Sequence, residues 1–347
     1  MAQQHWEHAD ELRKTAQAMV APGKGILAAD ESNATATKRL EAVGVKSDEE
    51  SRRQYRQLFF TAPEVEDYIS GVILYDETIR QADDNGKAFP DLLKERGIVP
   101  GIKVDSGAKP LAGSPNEKVT EGLDGLRDRI KEYYGMGARF AKWRAVITIG
   151  DGMPTRQCLE ANAHALARYA ALCQEGGLVP MVEPEVLING GHDIDTCEAV
   201  TEENLQAVFD ELHRHNVMLE GTILKTSMVI SGLDAPNRAG VEEVAERTVE
   251  TLKQVVPPAL GGVVFLSGGQ GNVEATQHLD AMNKKFKNLV PWRLTFSYAR
   301  ALQGPTLDTW GADQSKVEEA KKEFTHRARL NSLASEGQYS EDQEKAA

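Results

Sequence analysis

Short apolar runs alternate with longer stretches of helical period along most of this chain. The runs are Gly25–Ala29, Ile69–Tyr75, Val99–Val104, Ala138–Ile147, Leu178–Ile188, Met218–Met228, Gly261–Leu266 and Trp292–Tyr298. A continuous apolar run of this length reads as a buried strand. The runs start roughly 30 to 45 residues apart, and each gap holds a charged stretch of 3.6-residue period. Val119–Tyr134, Cys158–Gln174, Glu203–His213 and Val241–Val255 are the clearest of these stretches. Eight strands alternating with helices predict an α/β fold, a closed parallel (β/α)8 TIM barrel. An open doubly wound sheet is the alternative, but it has no particular preference for eight strands.

Additions frame this core. His8–Val20 is amphipathic and ended by Pro22-Gly23, which predicts an extra N-terminal helix. Asp313–Leu333 predicts one more helix after the last strand. There is no internal repeat and no Gly/Ser- or Pro-rich linker, so residues 1–330 are expected to form one domain. Asn331–Ala347 turns polar and is expected to be a flexible tail.

Charged residues then stand out where strands should end, which in a barrel is where active-site groups project. Asp30 closes the first run, in L-A-A-D-E-S. Lys103 and Asp105 end the third, Lys142 and Arg144 lie in the fourth, and Glu183 and Glu185 in the fifth. Each pair is spaced i, i+2, which puts both members on one strand face. Lys225 sits in the sixth run between Ile223-Leu224 and Met228-Val229-Ile230. Burial disfavours an ammonium, and a neutral amine can form a Schiff base with a carbonyl. Alone, such a lysine is more readily explained by a packed stem and a wet head. Charges at one strand end after another argue instead for convergence. The seventh run ends L-S-G-G-Q-G-N and the eighth F-S-Y-A-R, placing Ser267, Gly268, Gly269, Ser297 and Arg300 where barrels commonly hold a phosphate. No strand end carries a histidine, so no metal is expected in the site. His213-Arg214-His215 precedes a strand and reads as a helix end in preference to a metal site.

Composition narrows the setting. The net charge of −13 over 347 residues argues against nucleic-acid and anionic-membrane partners. It also means that an anionic substrate must be attracted by a local basic cluster. No run is long enough to span a membrane, and the N-terminus resembles neither a signal nor a transit peptide. Three cysteines without C-x-x-C spacing fit a reducing cytoplasm.

In order, L-A-A-D-E-S, G-I-K-V-D, F-A-K-W-R, V-E-P-E-V-L, L-K-T-S-M-V, L-S-G-G-Q and F-S-Y-A-R-A-L-Q closely resemble the class I, Schiff-base-forming fructose-1,6-bisphosphate aldolases. The resemblance runs from about residue 8 to 340. It implies a (β/α)8 barrel, a homotetramer, and a role in glycolysis and gluconeogenesis without cofactor or metal. Lys225 would be the Schiff-base lysine, Glu183 the acid/base for carbinolamine formation and dehydration, and Glu185 its polar support. Asp30 would take the C4 hydroxyl proton. Lys142 would stabilise charge and help keep Lys225 neutral. Ser267, Gly268, Gly269, Ser297 and Arg300 would hold the 1-phosphate, with Ser32, Thr35, Lys103 and Arg144 around the 6-phosphate or the open-chain sugar. Two departures stand out. Ala299 occupies a position where the family has glycine, and the chain ends in Ala347 where many members end in tyrosine. Tyr339 matches an earlier position and does not inherit that tyrosine's role. A non-catalytic aldolase-like scaffold and a metal-dependent aldolase are the rival readings. Preference among fructose 1,6-bisphosphate, fructose 1-phosphate and sedoheptulose 1,7-bisphosphate is not legible.

Overall fold

The structure is a computed structural model that describes residues 6–345. Its strands are, in chain order, β1 (Gly25–Ala28), β2 (Ile69–Leu74), β3 (Val99–Lys103), β4 (Ala108–Leu111), β5 (Ser114–Thr120), β6 (Phe140–Ile147), β7 (Val179–Val186), β8 (Ile223–Thr226), β9 (Gly262–Phe265) and β10 (Leu294–Tyr298). Eight of them close a barrel in the order β1-β10-β9-β8-β7-β6-β3-β2, every neighbouring pair parallel. All eight apolar runs supply these strands in sequence order, as a (β/α)8 barrel requires.

The barrel interior explains why one end is closed. Side chains of Ile26, Ile73, Phe140, Val179, Met181, Ile223 and Val264 form an inner apolar cluster with Leu12, Ala16, Met19 and Val20. Helix Ala9–Met19 brings the last group, burying Leu12, Ala16 and Met19 as a stopper. Burying one such side chain stabilises by about 1.5–3 kcal/mol, so the N-terminal end is packed shut. The ring of Phe140 lies so close to β3 that a Cβ on Gly101 would meet it at 2.2 Å. Glycine there is a packing requirement. The second, larger cluster lies between the strands and the outer helices.

Three expectations are corrected. The helix expected over Val119–Tyr134 begins only at Leu126 and runs to Gly135. Its first residues belong to β5, which pairs antiparallel with β4 in a hairpin inserted after β3. The run Met218–Met228 contributes only Ile223–Thr226 as strand, because Leu219–Gly221 makes a 3-10 turn beforehand.

The third correction concerns the tail. Helix Val317–Ser335 runs past the expected domain boundary at 330, and the largely exposed segment 338–345 is anchored through Tyr339 where a free tail was expected. Tyr339 is 3% exposed and belongs to the outer core cluster. Its N–H donates to Asp280 Oδ1 at 2.9 Å, its carbonyl accepts from Lys284 Nζ at 3.0 Å, and its hydroxyl donates to Glu344 Oε1 at 2.9 Å. Arg327 then donates to both Glu344 oxygens at 2.8 and 2.7 Å. One aromatic anchor and one bidentate ion pair hold a segment whose composition is otherwise polar. Tyr339→Ala is expected to lower stability by about 3–5 kcal/mol in urea unfolding, the cost of emptying a buried aromatic site.

Candidate active site

Period-two alternation carries the chemistry. On β6, Phe140 belongs to the inner plug and Lys142 and Arg144 follow on the same face; on β7 the same sequence runs Met181, Glu183, Glu185; on β8 it runs Ile223, Lys225. The apolar layer therefore becomes the floor on which the charged residues stand. They open into a cavity of about 800 Å³ at the C-terminal mouth, lined by every candidate residue except Gly269. Gly269 sits one residue behind the lining. The sequence-predicted set is thus gathered in one place.

At the floor, Glu183 lies between two lysines. Its Oε1 is 3.1 Å from Lys225 Nζ and its Oε2 is 2.8 Å from Lys142 Nζ. Lys142 Nζ also donates to Asp30 Oδ2 at 2.9 Å. Lys225 is 3% exposed and Glu183 2%. Charges this far from water persist only when paired. Burial would raise the Asp30 carboxyl, but Lys142 and Lys225 outweigh it and hold Asp30 at about 2. Glu183 is likewise held low, the lysines and Arg144 overcoming its burial. Burial opposes the charge on Lys142, yet Asp30 and Glu183 raise it well above the ordinary lysine range. Lys142 is therefore a fixed cation. The direct repulsion expected between the two lysines is intercepted by the Glu183 carboxylate.

A second tier surrounds this cluster. Arg144 Nε donates to Glu185 Oε2 at 2.5 Å. Lys103 Nζ pairs with Asp105 Oδ1 at 2.6 Å, and Asp105 is further anchored by the Gly107 and Arg144 N–H groups at 3.0 and 3.2 Å. Lys103 is thus held in place by an ion pair at the cavity wall. Ser32 caps helix Asn33–Ala42, accepting from the Thr35 N–H at 3.4 Å.

Across the mouth, the loop after β9 turns through Gly268 and Gly269 with φ of +47° and +101°. These left-handed angles favour glycine. Ser297, at the end of β10, is buried with no hydrogen-bond partner for its hydroxyl among the described residues. A buried hydroxyl left over in a cavity wall is suited to an incoming acceptor. Helix Arg300–Trp310 starts immediately after Ala299, directing unpaired backbone N–H groups and a positive dipole at the same place. Ala299 has φ −106° and ψ −91°, outside the left-handed region that would require glycine but also outside the regular α and β regions.

His278 supports that loop from behind. Its Nδ1–H donates to Gln270 Oε1 at 2.7 Å, and the Gln270 N–H closes back onto the Ser267 carbonyl at 2.8 Å. Burial pushes His278 down to about 4. Unfolded, it would titrate near 6.5. Between those values the unfolded chain binds more protons, so stability falls as pH drops through the window and is unaffected above it. Urea unfolding at pH 7 and pH 4.5 should differ by on the order of 2–3 kcal/mol from this group. His278→Gln should remove that part of the difference.

Sequence reasoning missed Glu31, Lys38, Arg39 and Tyr75, which also line the cavity. Lys38 and Arg39 lie on helix Asn33–Ala42, and so escape a search confined to strand ends. Arg39 is anchored by ion pairing to Glu31 and by donating to Gln303 Oε1 at 2.6 Å. Seven basic and five acidic side chains line the cavity, a local positive excess within a protein of net charge −13. This is the cluster an anionic substrate needs.

A parallel barrel with buried lysines and carboxylates on its mouth strands, beside a phosphate-ready helix terminus, defines a barrel enzyme built for carbonyl chemistry on a phosphorylated substrate. A sequence profile described as fructose-bisphosphate aldolase class-I matches residues 11–347. A probable fructose-bisphosphate aldolase class 1 of Xanthomonas campestris pathovar campestris is 57% identical over 331 residues, 95% of this chain and 98% of that protein. The fructose-bisphosphate aldolase of Dictyostelium discoideum is 51% identical over 95% of this chain and 93% of its own length. Among solved structures, a co-crystal of fructose-bisphosphate aldolase from Plasmodium falciparum with TRAP and a small-molecule inhibitor superposes with a TM-score of 0.95 at 45% identity, covering 98% of each chain. The chain belongs to the class-I fructose-bisphosphate aldolase family.

Proposed function

We propose that the chain cleaves fructose 1,6-bisphosphate reversibly to dihydroxyacetone phosphate and glyceraldehyde 3-phosphate through a Schiff base on Lys225, in glycolysis and gluconeogenesis. The observation that carries this is the 3.1 Å contact between Lys225 Nζ and Glu183 at the floor of a cationic cavity. Lys225 hands a proton to Glu183 and its amine attacks the C2 carbonyl. Glu183 then returns a proton to the departing hydroxyl, and water leaves as the iminium forms. Asp30 takes the C4 hydroxyl proton, the C3–C4 bond breaks, and its electron pair passes into the iminium to give an enamine as the aldehyde departs. Protonation at C3 and hydrolysis by the expelled water's equivalent release the ketose phosphate and free Lys225.

The other groups bind and balance charge. Lys142 remains a cation throughout and faces the developing alkoxide at Asp30. Glu185 orients Arg144. Ser267, Gly268, Gly269, Ser297 and Arg300 take the 1-phosphate, while Ser32, Thr35, Lys103 and Arg144 lie toward the 6-phosphate end. No metal or organic cofactor enters this scheme. Cleavage assays on fructose 1,6-bisphosphate, fructose 1-phosphate and sedoheptulose 1,7-bisphosphate, with and without chelator, test it. Chelator-sensitive cleavage would replace the Schiff base with metal chemistry.

Among the described residues no helix is long and apolar enough to cross a membrane, and an Arabidopsis thaliana relative is described as cytosolic. Both fit a cytoplasmic enzyme. A homotetramer rests on the family, and light scattering at micromolar concentration should give about four times the 38.0 kDa chain mass. A monomer would count against it. Tyr339 lies outside the cavity lining, so deleting residues 338–347 should leave cleavage per folded molecule nearly unchanged. A fall of about 10²-fold in folded protein would instead assign the tail a proton-transfer role.

A further inference from the structure

Outside the barrel, three side chains converge between helices Arg156–Glu175 and Ile194–Arg214. One ligand-capable atom from each of His164, Glu211 and His215 lies within 4.8 Å of the other two. His164 Nδ1 is 3.0 Å, and His215 Nδ1 3.6 Å, from the same carboxylate oxygen, Glu211 Oε2. The imidazole centroids are 5.0 Å apart at an interplanar angle of 70°. The rings therefore meet edge to face around the carboxylate and do not stack. Arg214 takes the opposite oxygen, Oε1, at 2.5 Å, which fixes the carboxylate and leaves Oε2 aimed at the two imidazoles.

We propose that His164, Glu211 and His215 form a binding site for a zinc-type transition-metal dication that clips these two helices together. The donor set decides the class of ion. Two imidazoles and one carboxylate suit zinc, cobalt, nickel or copper, whereas magnesium and calcium prefer oxygen donors throughout. Tetrahedral zinc holds its ligands at about 2.0–2.1 Å, which places them roughly 3.3 Å apart. The two histidine–carboxylate spacings bracket that value and the two imidazole nitrogens lie within 4.8 Å of each other, so closing the site takes side-chain movement. His164 is 54% exposed at its side chain, leaving an entry path and room for a water in the fourth position.

The local charge favours a cation. Arg214 is paired with Glu211, and Asp210 and Glu160 add negative charge in its vicinity, Glu160 being shared with Arg156. Without metal, His164 Nδ1–H donates to the Glu211 carboxylate at 3.0 Å, while His215 Nδ1–H donates to the Glu211 backbone carbonyl at 3.0 Å and lies 3.6 Å from the carboxylate. A bound metal takes those nitrogen lone pairs, and the ring proton moves to Nε2. The exchange conserves charge on each neutral imidazole, and at His215 it gives up the Nδ1–H bond to the Glu211 carbonyl, so that ring must rotate away from the carbonyl to bind. Helix Ile194–Arg214 follows β7, which carries Glu183 and Glu185, and helix Arg156–Glu175 follows β6, which carries Lys142 and Arg144. The clip therefore ties together the outer supports of two catalytic strands while remaining apart from the cavity.

The test uses the full chain, stripped with chelator and dialysed. Zinc titrated alone by calorimetry should bind at one equivalent per chain with a Kd on the order of micromolar, and cobalt should give visible absorption of a nitrogen- and oxygen-ligated ion. Zinc should also raise Tm, since a ligand bound only by the folded state stabilises it. Changes to outer partners alone shift metal affinity by about 10–100-fold, so His164→Asn with His215→Asn should weaken binding by at least about 100-fold. The double variant and the stripped protein should both cleave sugar phosphate normally. Absence of saturable binding overturns the proposal, and so does unchanged binding in the double variant, which would locate the ion elsewhere. Loss of Tm in the double variant without any metal dependence would make the cluster an ion-pair staple and also overturn it.

Discussion

Lys225→Met is expected to abolish cleavage of fructose 1,6-bisphosphate, by roughly 10⁵-fold or more, because deleting a covalent nucleophile removes the reaction path and not merely one contact. Two lysines share the floor of the cavity, and their surroundings separate them. Lys142 is clamped by Asp30 at 2.9 Å and by Glu183 at 2.8 Å, and those carboxylates raise its affinity for its proton. An amine so held cannot present a lone pair. Lys225 has one carboxylate neighbour, at 3.1 Å, and that neighbour is also a proton acceptor. Methionine preserves the length and apolar packing of the stem, so the β8 register should survive. Removing one cation leaves Asp30 and Glu183 to share Lys142, which raises one carboxylate and should cost modest stability. Lys225→Arg keeps the charge without the nucleophile and separates the two effects. If the Schiff-base assignment holds, both variants are inactive while Lys225→Arg stays closer to wild-type stability. Borohydride reduction with dihydroxyacetone phosphate should label a single peptide, the one containing residue 225. Label on Lys142 or Lys103 would sink the assignment.

The eight strands were legible because each is a continuous apolar run, and a barrel strand is buried on both faces. What lies between them was less so. The β4–β5 hairpin reads S-P-N-E-K-V-T on its second strand and buries only the polar Glu117 and Thr120, so no hydrophobic period announces it. Its buried point is polar: Glu117 accepts from the Thr155 N–H at 2.7 Å and its hydroxyl at 2.5 Å. Within the site, the i, i+2 spacing showed that Lys142 and Arg144 share a face, as do Glu183 and Glu185. It could not show that Arg144 aligns with Glu183 across the β6–β7 ladder, because strand register depends on partners distant in sequence. That register brings Glu183 within reach of both lysines. The motifs that carry the family resemblance named the same residues without it. Lys38 and Arg39 were missed for the opposite reason: a basic pair on a helix looks like any solvated face until the helix is seen to border the mouth.

Glu183→Gln is expected to slow turnover by about 10²–10⁴-fold, the usual worth of a positioned general acid–base. The substitution keeps shape and hydrogen-bonding capacity, so the loss isolates proton transfer. Glu183 is the group that touches both lysines, one with each oxygen. That position lets it accept a proton from Lys225, hold it beside the reacting carbon, and return it to the carbinolamine hydroxyl. In the proposed cycle Lys142, as a fixed cation, would favour return of Glu183 to the carboxylate form, whose carboxyl it holds low together with Lys225 and Arg144. A glutamine has no titrating oxygen, and its amide nitrogen would turn toward Asp30 or into the cavity. Single-turnover measurements should find iminium formation slowed by nearly the whole kcat effect, while KM for the bisphosphate changes little, since the phosphate contacts lie elsewhere in the cavity. Glu183→Asp should recover part of the rate, its carboxylate displaced by one methylene from Lys225. If Glu183→Gln instead leaves iminium formation intact and slows only C3–C4 cleavage, then Glu183 acts on the later step and another group transfers the carbinolamine proton.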